Sequence, residues 1–98
     1  MSERRTDQRV SLNLSARWDG LAGGHEARIE DLSVGGCFVN TNGRVDIGED
    51  VVVAVKLPSG EWLQLNGTVV SYQIGIGFGM VFTVLTDVEE EAIRELIP

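Results

Sequence analysis

The sequence has very few of the residues from which catalytic and metal sites are usually built. Among its 98 residues there is one cysteine, Cys37, and one histidine, His25. An internal disulfide is therefore impossible, no site of several Cys and His ligands can form, and no Ser-His or Cys-His pair has a spacing typical of nucleophilic catalysis. We expect Cys37 to be a small buried hydrophobe and His25, beside a glycine turn, to be exposed and incidental. The sequence predicts a protein that is not an enzyme and uses no metal or cofactor.

Long apolar runs and an excess of positive charge are also missing. No stretch approaches the ~18 apolar residues of a membrane span, and the chain starts without the apolar run of a signal peptide, so we expect a cytoplasmic protein. Eight Lys and Arg stand against fifteen Asp and Glu, which gives a formal net charge of −7. Because such a surface repels polyanions, we expect neither nucleic acid nor an anionic membrane as a partner.

The length of the chain suits a single domain. Its 98 residues are close to the commonest domain size, and the 43% that are hydrophobic are spread along the chain, so that a core can form without disulfides or metals. We expect one domain over 1–98, made of a flexible arginine-rich arm at 1–9, a barrel at 10–84 and a helix at 86–97.

Apolar residues alternate with polar or small ones along most of the chain, which is typical of strands with one buried face. The alternating segments are about 10–18, 26–30, 37–39, 51–57, 62–72 and 76–84. Six short strands joined by glycine turns, with no crossover helix between them, predict an all-β fold, a six-stranded antiparallel barrel. Trp18 is in phase with the apolar face and is expected in the core. Trp62 is out of phase with its neighbours and is expected on the surface.

The periodicity changes after Thr86. Thr86 and Glu89 have the spacing of a capping box, and Glu90 and Glu91 lie where the helix dipole favours carboxylates. The apolar residues of this segment share one helical face: Val88, Ala92, Ile93, Leu96 and Ile97. The sequence predicts a short C-terminal amphipathic helix that packs on the barrel or closes one end of it.

Two clusters of polar residues are not required by a barrel, and the first is the arginine pair Arg5-x-x-x-Arg9, which Arg4 precedes. Arginine carries a planar, permanent charge that grips phosphate at two points and stacks on a base. On an arm before the first strand, these side chains suit a small anionic ligand. Taken alone, the cluster is equally compatible with a solvated tail.

The second cluster is Asp31-x-Ser33-x-x-Gly36, with Gly35 preceding its last residue. A carboxylate accepts hydrogen bonds from the Watson–Crick edge of guanine or holds an arginine, and a serine hydroxyl bonds a phosphate or the backbone. Paired glycines let the chain turn tightly while a ligand approaches. The alternative is an ordinary Asx or Ser turn between two strands.

Together and in this order, the two clusters resemble the paired signature of PilZ domains. The likeness extends over about residues 3 to 97 and includes Leu57-Pro58-Ser59-Gly60 before a long strand and Gly75-Ile76-Gly77-Phe78 in the last strand. It implies a six-stranded barrel of the split-barrel type that binds the bacterial second messenger cyclic di-GMP at its surface. The positions that match the family's ligand-binding residues are Arg4, Arg5, Arg9, Asp31, Ser33, Gly35 and Gly36. An arginine at position 4 would favour a stacked pair of ligands.

The resemblance implies a receptor or adaptor that orders its arm on the ligand and signals to a separate, unidentified protein, as a monomer or a weak homodimer. The main alternative is a PilZ-like interaction module that does not bind nucleotide. A small oligonucleotide-binding barrel is a third interpretation, but it requires basic residues and exposed aromatics across one sheet face. The charge of −7 and an aromatic content of 6% argue against it.

Overall fold

The structure of the protein is a computed structural model that describes residues 9–20 and 23–97. It contains six strands followed by one helix. The strands are β1 (Val10–Gly20), β2 (Gly23–Leu32), β3 (Gly36–Asn40), β4 (Asp50–Lys56), β5 (Trp62–Gln73) and β6 (Gly77–Val84), and the helix is α1 (Asp87–Leu96).

The six strands form a closed antiparallel barrel in the order β1-β2-β3-β6-β5-β4. It closes where β1 pairs with β4, from Ala16 opposite Val55 to Asp19 opposite Val52. Because of this pairing, these parts of β1 and β4 have no exposed edge. The predicted six-stranded antiparallel barrel with a C-terminal helix is confirmed.

The inward faces of the strands supply the core, because side chains alternate between the two faces of a strand. Its largest fully buried side chains include Trp18, Phe78, Ile29 and Leu65. The ring of Trp18 meets that of Phe78 edge to face, with centroids 5.1 Å apart, and its indole N–H donates to Thr41 Oγ1 at 3.0 Å. The predicted core position of Trp18 is confirmed, as is the exposure of Trp62.

The expectation that His25 is exposed and incidental is wrong. β2 begins at Gly23, so His25 lies within a strand and pairs with Trp18 of β1. Its imidazole stacks on the indole with centroids 4.7 Å apart and an angle of 27°, and its Nε2 atom is enclosed with no hydrogen-bond partner among the described residues. The neighbouring glycines suggested a wide turn, whereas in the structure the strand continues through them.

Helix α1 begins as its sequence predicted. Thr86 is the N-cap: its hydroxyl accepts from the Glu89 N–H at 3.1 Å, while the Glu89 carboxylate accepts from the Thr86 N–H at 3.1 Å. Ile93 on the apolar face is buried in the barrel core, so the helix covers the core as expected. Within the described part of the chain, no helix is long and apolar enough to cross a membrane.

Candidate functional site

The second polar cluster lies where β2 ends and turns into β3. Asp31 pairs with Ser11 of β1 on one side and Phe38 of β3 on the other. The register shifts just before it in both pairings, between Ser11 and Leu14 and between Ile29 and Asp31. Such bulges bend a strand and re-aim its side chains. They set the direction in which the Asp31 side chain points away from the barrel.

The structure brings the end of the first cluster to the start of the second. Arg9 Nη1 lies 3.3 Å from Asp31 Oδ2, and the two side chains are 50% and 43% exposed. The pair is therefore an ion pair at the surface, open to a competing ligand. Arg4 and Arg5 lie outside the described residues, so Arg9 is the member of the first cluster whose position is known.

Ser33 occupies the turn between β2 and β3, and its side chain is fully buried. Its hydroxyl donates to the Gly36 carbonyl at 3.3 Å and accepts from the Gly35 N–H at 3.2 Å. The Ser33 N–H also donates to the Gly36 carbonyl, at 2.9 Å. The hydroxyl is thus directed into the turn and not towards the surface. This geometry is that of the Ser turn, which the sequence left open as the alternative.

Gly36 is buried at the start of β3, opposite Val81 of β6. A Cβ atom at this position would lie 2.2 Å from the carbonyl oxygen of Met80, a separation that no carbon atom tolerates. The neighbouring strand therefore requires a glycine here, and this reason differs from the close ligand approach suggested by the sequence. Gly35 is exposed, and its carbonyl accepts from the Phe82 N–H at 2.9 Å.

Cys37 lies behind this surface, facing the core. Burial raises the pKa of its thiol to about 12; the Arg9 charge lowers it and the Asp31 charge raises it by smaller amounts. The thiol is therefore neutral at physiological pH and a poor nucleophile. The predicted role of Cys37 as a buried hydrophobe is confirmed.

An apolar surface beside the turn was not predicted. Val81, opposite Gly36 on β6, is 45% exposed, and Val70 on β5 is 51% exposed. The alternation along β6 did indicate that Val81 is exposed, because its neighbours Met80 and Phe82 point inward. Val81 thus places an exposed aliphatic side chain on the strand beside the turn.

The arrangement suits binding more than catalysis. It combines an exposed guanidinium, an exposed carboxylate, a rigid turn and an apolar surface. In residues 9–20 and 23–97, no group of three His, Cys, Asp or Glu side chains is placed to hold a metal ion.

The family model for the PilZ domain matches residues 3–97. The chain belongs to the PilZ domain family. The match covers both arginine-rich and aspartate-containing clusters, so the resemblance seen in the sequence is confirmed. No curated protein matches the sequence.

Three solved structures place this PilZ domain among known folds. The PilZ domain of YcgR from Escherichia coli, solved with c-di-GMP, has a TM-score of 0.80 at 14% identity, over 97% of this chain and 89% of that one. PlzA of Borreliella burgdorferi in complex with c-di-GMP has a TM-score of 0.71 at 16% identity, over 93% of this chain and 40% of that one. The Bacillus subtilis inhibitor of motility MotI/DgrA has a TM-score of 0.78 at 14% identity, over 96% of this chain.

This PilZ domain spans about half the length of MotI/DgrA, with 49% of that chain covered. It spans less than half of PlzA. At these identities the likeness concerns the fold.

Proposed function

We propose that this PilZ domain is a cytoplasmic receptor for cyclic di-GMP, which it binds at the surface around the Arg9–Asp31 pair. The observation that carries the proposal is the contact between the two clusters across 3.3 Å at an exposed position. Membership of the PilZ family supports it, as do the two similar barrels solved with c-di-GMP. The proposed ligand-binding residues are Arg4, Arg5, Arg9, Asp31, Ser33, Gly35 and Gly36.

The ligand replaces one ion pair by several stronger interactions. Cyclic di-GMP carries two phosphate charges and two purine rings, and guanidinium groups bind phosphate with two parallel hydrogen bonds. When Arg9 turns to a phosphate, the Asp31 carboxylate is free to accept from the N–H groups of a guanine. Since the exposed pair contributes little to stability, its loss costs the complex little.

Ser33, Gly35 and Gly36 serve the site in a different way. The hydrogen bonds of Ser33 and the close packing of Gly36 on β6 fix the turn, and the turn holds Asp31 at the surface. Gly35 is the exposed member and leaves room for the ligand to lie against the backbone.

Binding also converts ligand concentration into a change of surface. Arg4, Arg5 and Arg9 all contact bound ligand in the complex, so residues 1–9 lie against the barrel when it is bound. A separate partner protein recognises this rearranged surface, because a ligand shifts an equilibrium by its different affinity for two states. Arg4 favours a stacked pair of ligands over a single one.

A calorimetric titration with cyclic di-GMP tests the proposal. We expect saturable binding that disappears in the Arg5→Ala, Arg9→Ala double variant and persists in Arg94→Ala, which removes another exposed arginine, paired with Glu90 on α1. GTP is the control for non-specific nucleotide binding. The fitted stoichiometry distinguishes one ligand from a stacked pair. If the folded protein does not bind cyclic di-GMP, the proposal fails. The function that remains is that of an interaction module that binds no nucleotide.

A further inference from the structure

A second surface feature lies on the barrel, away from the Arg9–Asp31 pair. It is a groove of about 690 Å³ over the outer faces of β1 and β2, bordered by the end of β3, the β4–β5 hairpin and the β5–β6 turn. None of the described residues of the two signature clusters lines it. On β2 the groove reaches Arg28, three residues before Asp31. At ~3.3 Å per residue, the two positions are ~10 Å apart along the strand.

The groove is positively charged on a protein that is otherwise acidic. Arg17, Arg28 and Lys56 line it, three of the eight basic residues in the chain, and Glu26 is its one carboxylate among the described residues. The formal net charge of the whole chain is −7. A positive patch in such a field attracts acidic groups to one place and orients their approach.

The positive groups of the groove are not neutralised by strong ion pairs. Arg17 and Glu26 are 3.9 Å apart, and their side chains are largely exposed. Arg28 donates to the side-chain oxygen of Asn13 at 3.1 Å, a neutral acceptor. Within the described residues, the Lys56 ammonium forms no hydrogen bond or ion pair.

Uncharged groups in the groove complete a surface suited to a peptide. The carboxamides of Asn40 and Asn42 line it, and such groups both donate to and accept from a peptide backbone. Trp62 and Ile76 also line it, each 51% exposed. Exposed Trp and Arg are the side chains most enriched at the energetic centres of protein interfaces.

We propose that this groove is the partner-binding surface of the domain and takes an acidic, extended peptide segment that carries an apolar side chain between its carboxylates. The carboxylates contact Arg17, Arg28 and Lys56, and the apolar side chain packs on Trp62 and Ile76. The inference rests on the proposed function in that the groove holds the partner with or without ligand, while the partner reads the separate surface that residues 1–9 rearrange when the ligand binds.

The shape of the groove favours a peptide over a small anion. A single small anion is held by polar groups that converge on one point. Here the groove is wide and open, and its three cations stand on three different strands. A chain with several separated carboxylates matches that spacing, whereas one phosphate does not.

Selection from a phage-displayed library of random dodecapeptides, without cyclic di-GMP, tests the proposal. We expect the selected peptides to carry Asp or Glu on both sides of an apolar residue. A synthetic peptide of the best sequence is then titrated by fluorescence anisotropy. Its affinity should fall at least about tenfold in Lys56→Glu and in Trp62→Ala, as at interface centres.

Two matched controls separate position from overall charge and hydrophobicity. Arg94→Glu makes the same change of charge as Lys56→Glu but on α1, and Val88→Ala removes an exposed apolar side chain from the same helix. Both should leave the peptide affinity within about twofold. Calorimetry of Lys56→Glu with cyclic di-GMP reports the ligand site separately, so failure of one proposal is distinguishable from failure of the other.

Several results would overturn the proposal. They are selection of neutral or basic peptides, peptide binding that Lys56→Glu and Trp62→Ala leave unchanged, and failure to select any peptide. Displacement of the peptide by GMP or pyrophosphate would show a small-anion site instead. Self-association that is lost in Lys56→Glu would show that a second copy of the chain occupies the groove.

Discussion

Two regions of the barrel surface can be compared: the end that carries Arg9 and Asp31, and the cationic groove lined by Arg17, Arg28 and Lys56. They differ in how far their polar residues take part in the fold. At the Arg9–Asp31 end, Ser33 and Gly36 are buried and build the turn, while the ion pair itself is half exposed. In the groove, the side chains of Arg17 and Lys56 project from strand faces without entering the core. Substitutions in the groove should therefore alter binding alone, whereas those in the second cluster alter stability or binding, depending on the residue.

In the proposed site, this difference divides the signature into two kinds of residue. Asp31 would offer a group to the ligand, and Ser33 and Gly36 fix the turn that holds it. A loss of binding in a Gly36 variant therefore says little about ligand contact, since the turn itself is disturbed. Stability and affinity have to be measured together at each position.

The largest effect is expected at Gly36. In Gly36→Ala the new Cβ would lie 2.2 Å from the Met80 carbonyl oxygen, so β3 and β6 must separate. We expect the free energy of unfolding to fall by about 3 kcal/mol or more, as for severe overpacking, measured by urea denaturation. Gly35→Ala is the control, because Gly35 is exposed and lacks a positive φ. Equal losses in both variants would contradict this view of the turn.

Ser33→Ala should have the next largest effect. It removes the buried hydroxyl that accepts from the Gly35 N–H and donates to the Gly36 carbonyl. The Gly35 N–H loses this acceptor, while the Gly36 carbonyl keeps its bond from the Ser33 N–H. The loss should cost about 1–3 kcal/mol of unfolding free energy, measured in the same denaturation experiment. Ser59→Ala removes a similar bond, to the Glu61 N–H at 3.3 Å, from an exposed turn and should cost less. An unchanged stability in Ser33→Ala would contradict the structural role of the hydroxyl.

The reverse is expected of Arg9→Ala and Asp31→Ala: a large loss of ligand affinity and almost no loss of stability. Each removes half of an exposed ion pair, so the unfolding free energy should change by less than about 1 kcal/mol. The affinity for cyclic di-GMP, measured by calorimetry, should fall at least about tenfold because charged hydrogen bonds to the ligand are lost. If either variant unfolds readily while binding ligand normally, its residue belongs to the fold and the distinction between the two kinds of residue fails.

The smallest effect is expected of Cys37→Ala. It is a difference in stability that can be measured only at alkaline pH. Burial raises the pKa of the Cys37 thiol to about 12 from an ordinary value of 9.0, so the folded state holds the proton more tightly than the unfolded chain. Its contribution to stability is present in full below pH 9 and is lost as the pH rises from 9 towards 12. Thermal unfolding at pH 8 and pH 10 should show a smaller alkaline loss in Cys37→Ala than in the parent protein. An identical alkaline loss in both proteins would contradict the burial of this thiol.

Much of the barrel could be predicted from the sequence because strand periodicity is a local property. The alternation from Val10 onward and the capping box at Thr86 gave strands and helix within a few residues of their bounds. The two signature clusters gave the location of the proposed site. What failed depended on contacts between strands: the stacking of His25 on Trp18 and the packing of Gly36 on Met80.

The cationic groove could not be predicted at all for the same reason. Arg17, Arg28 and Lys56 are far apart in the chain, and each looks like an ordinary residue on the exposed face of a strand. The register of β1 with β2 and β4 sets Arg17 opposite Glu26 and Ala54, each two residues from Arg28 and Lys56 respectively, so that the three lie near one another. Pairing between strands that are distant in sequence is not encoded in local periodicity.

A titration of ¹⁵N-labelled protein with cyclic di-GMP, followed by backbone amide chemical shifts, tests the division between the two surfaces most directly. The account predicts that the largest shifts fall on Arg9, Asp31 and Gly35, and that the amides of Arg17, Arg28 and Lys56 shift little. Largest shifts at the groove residues, or no shifts at saturating ligand, would contradict it.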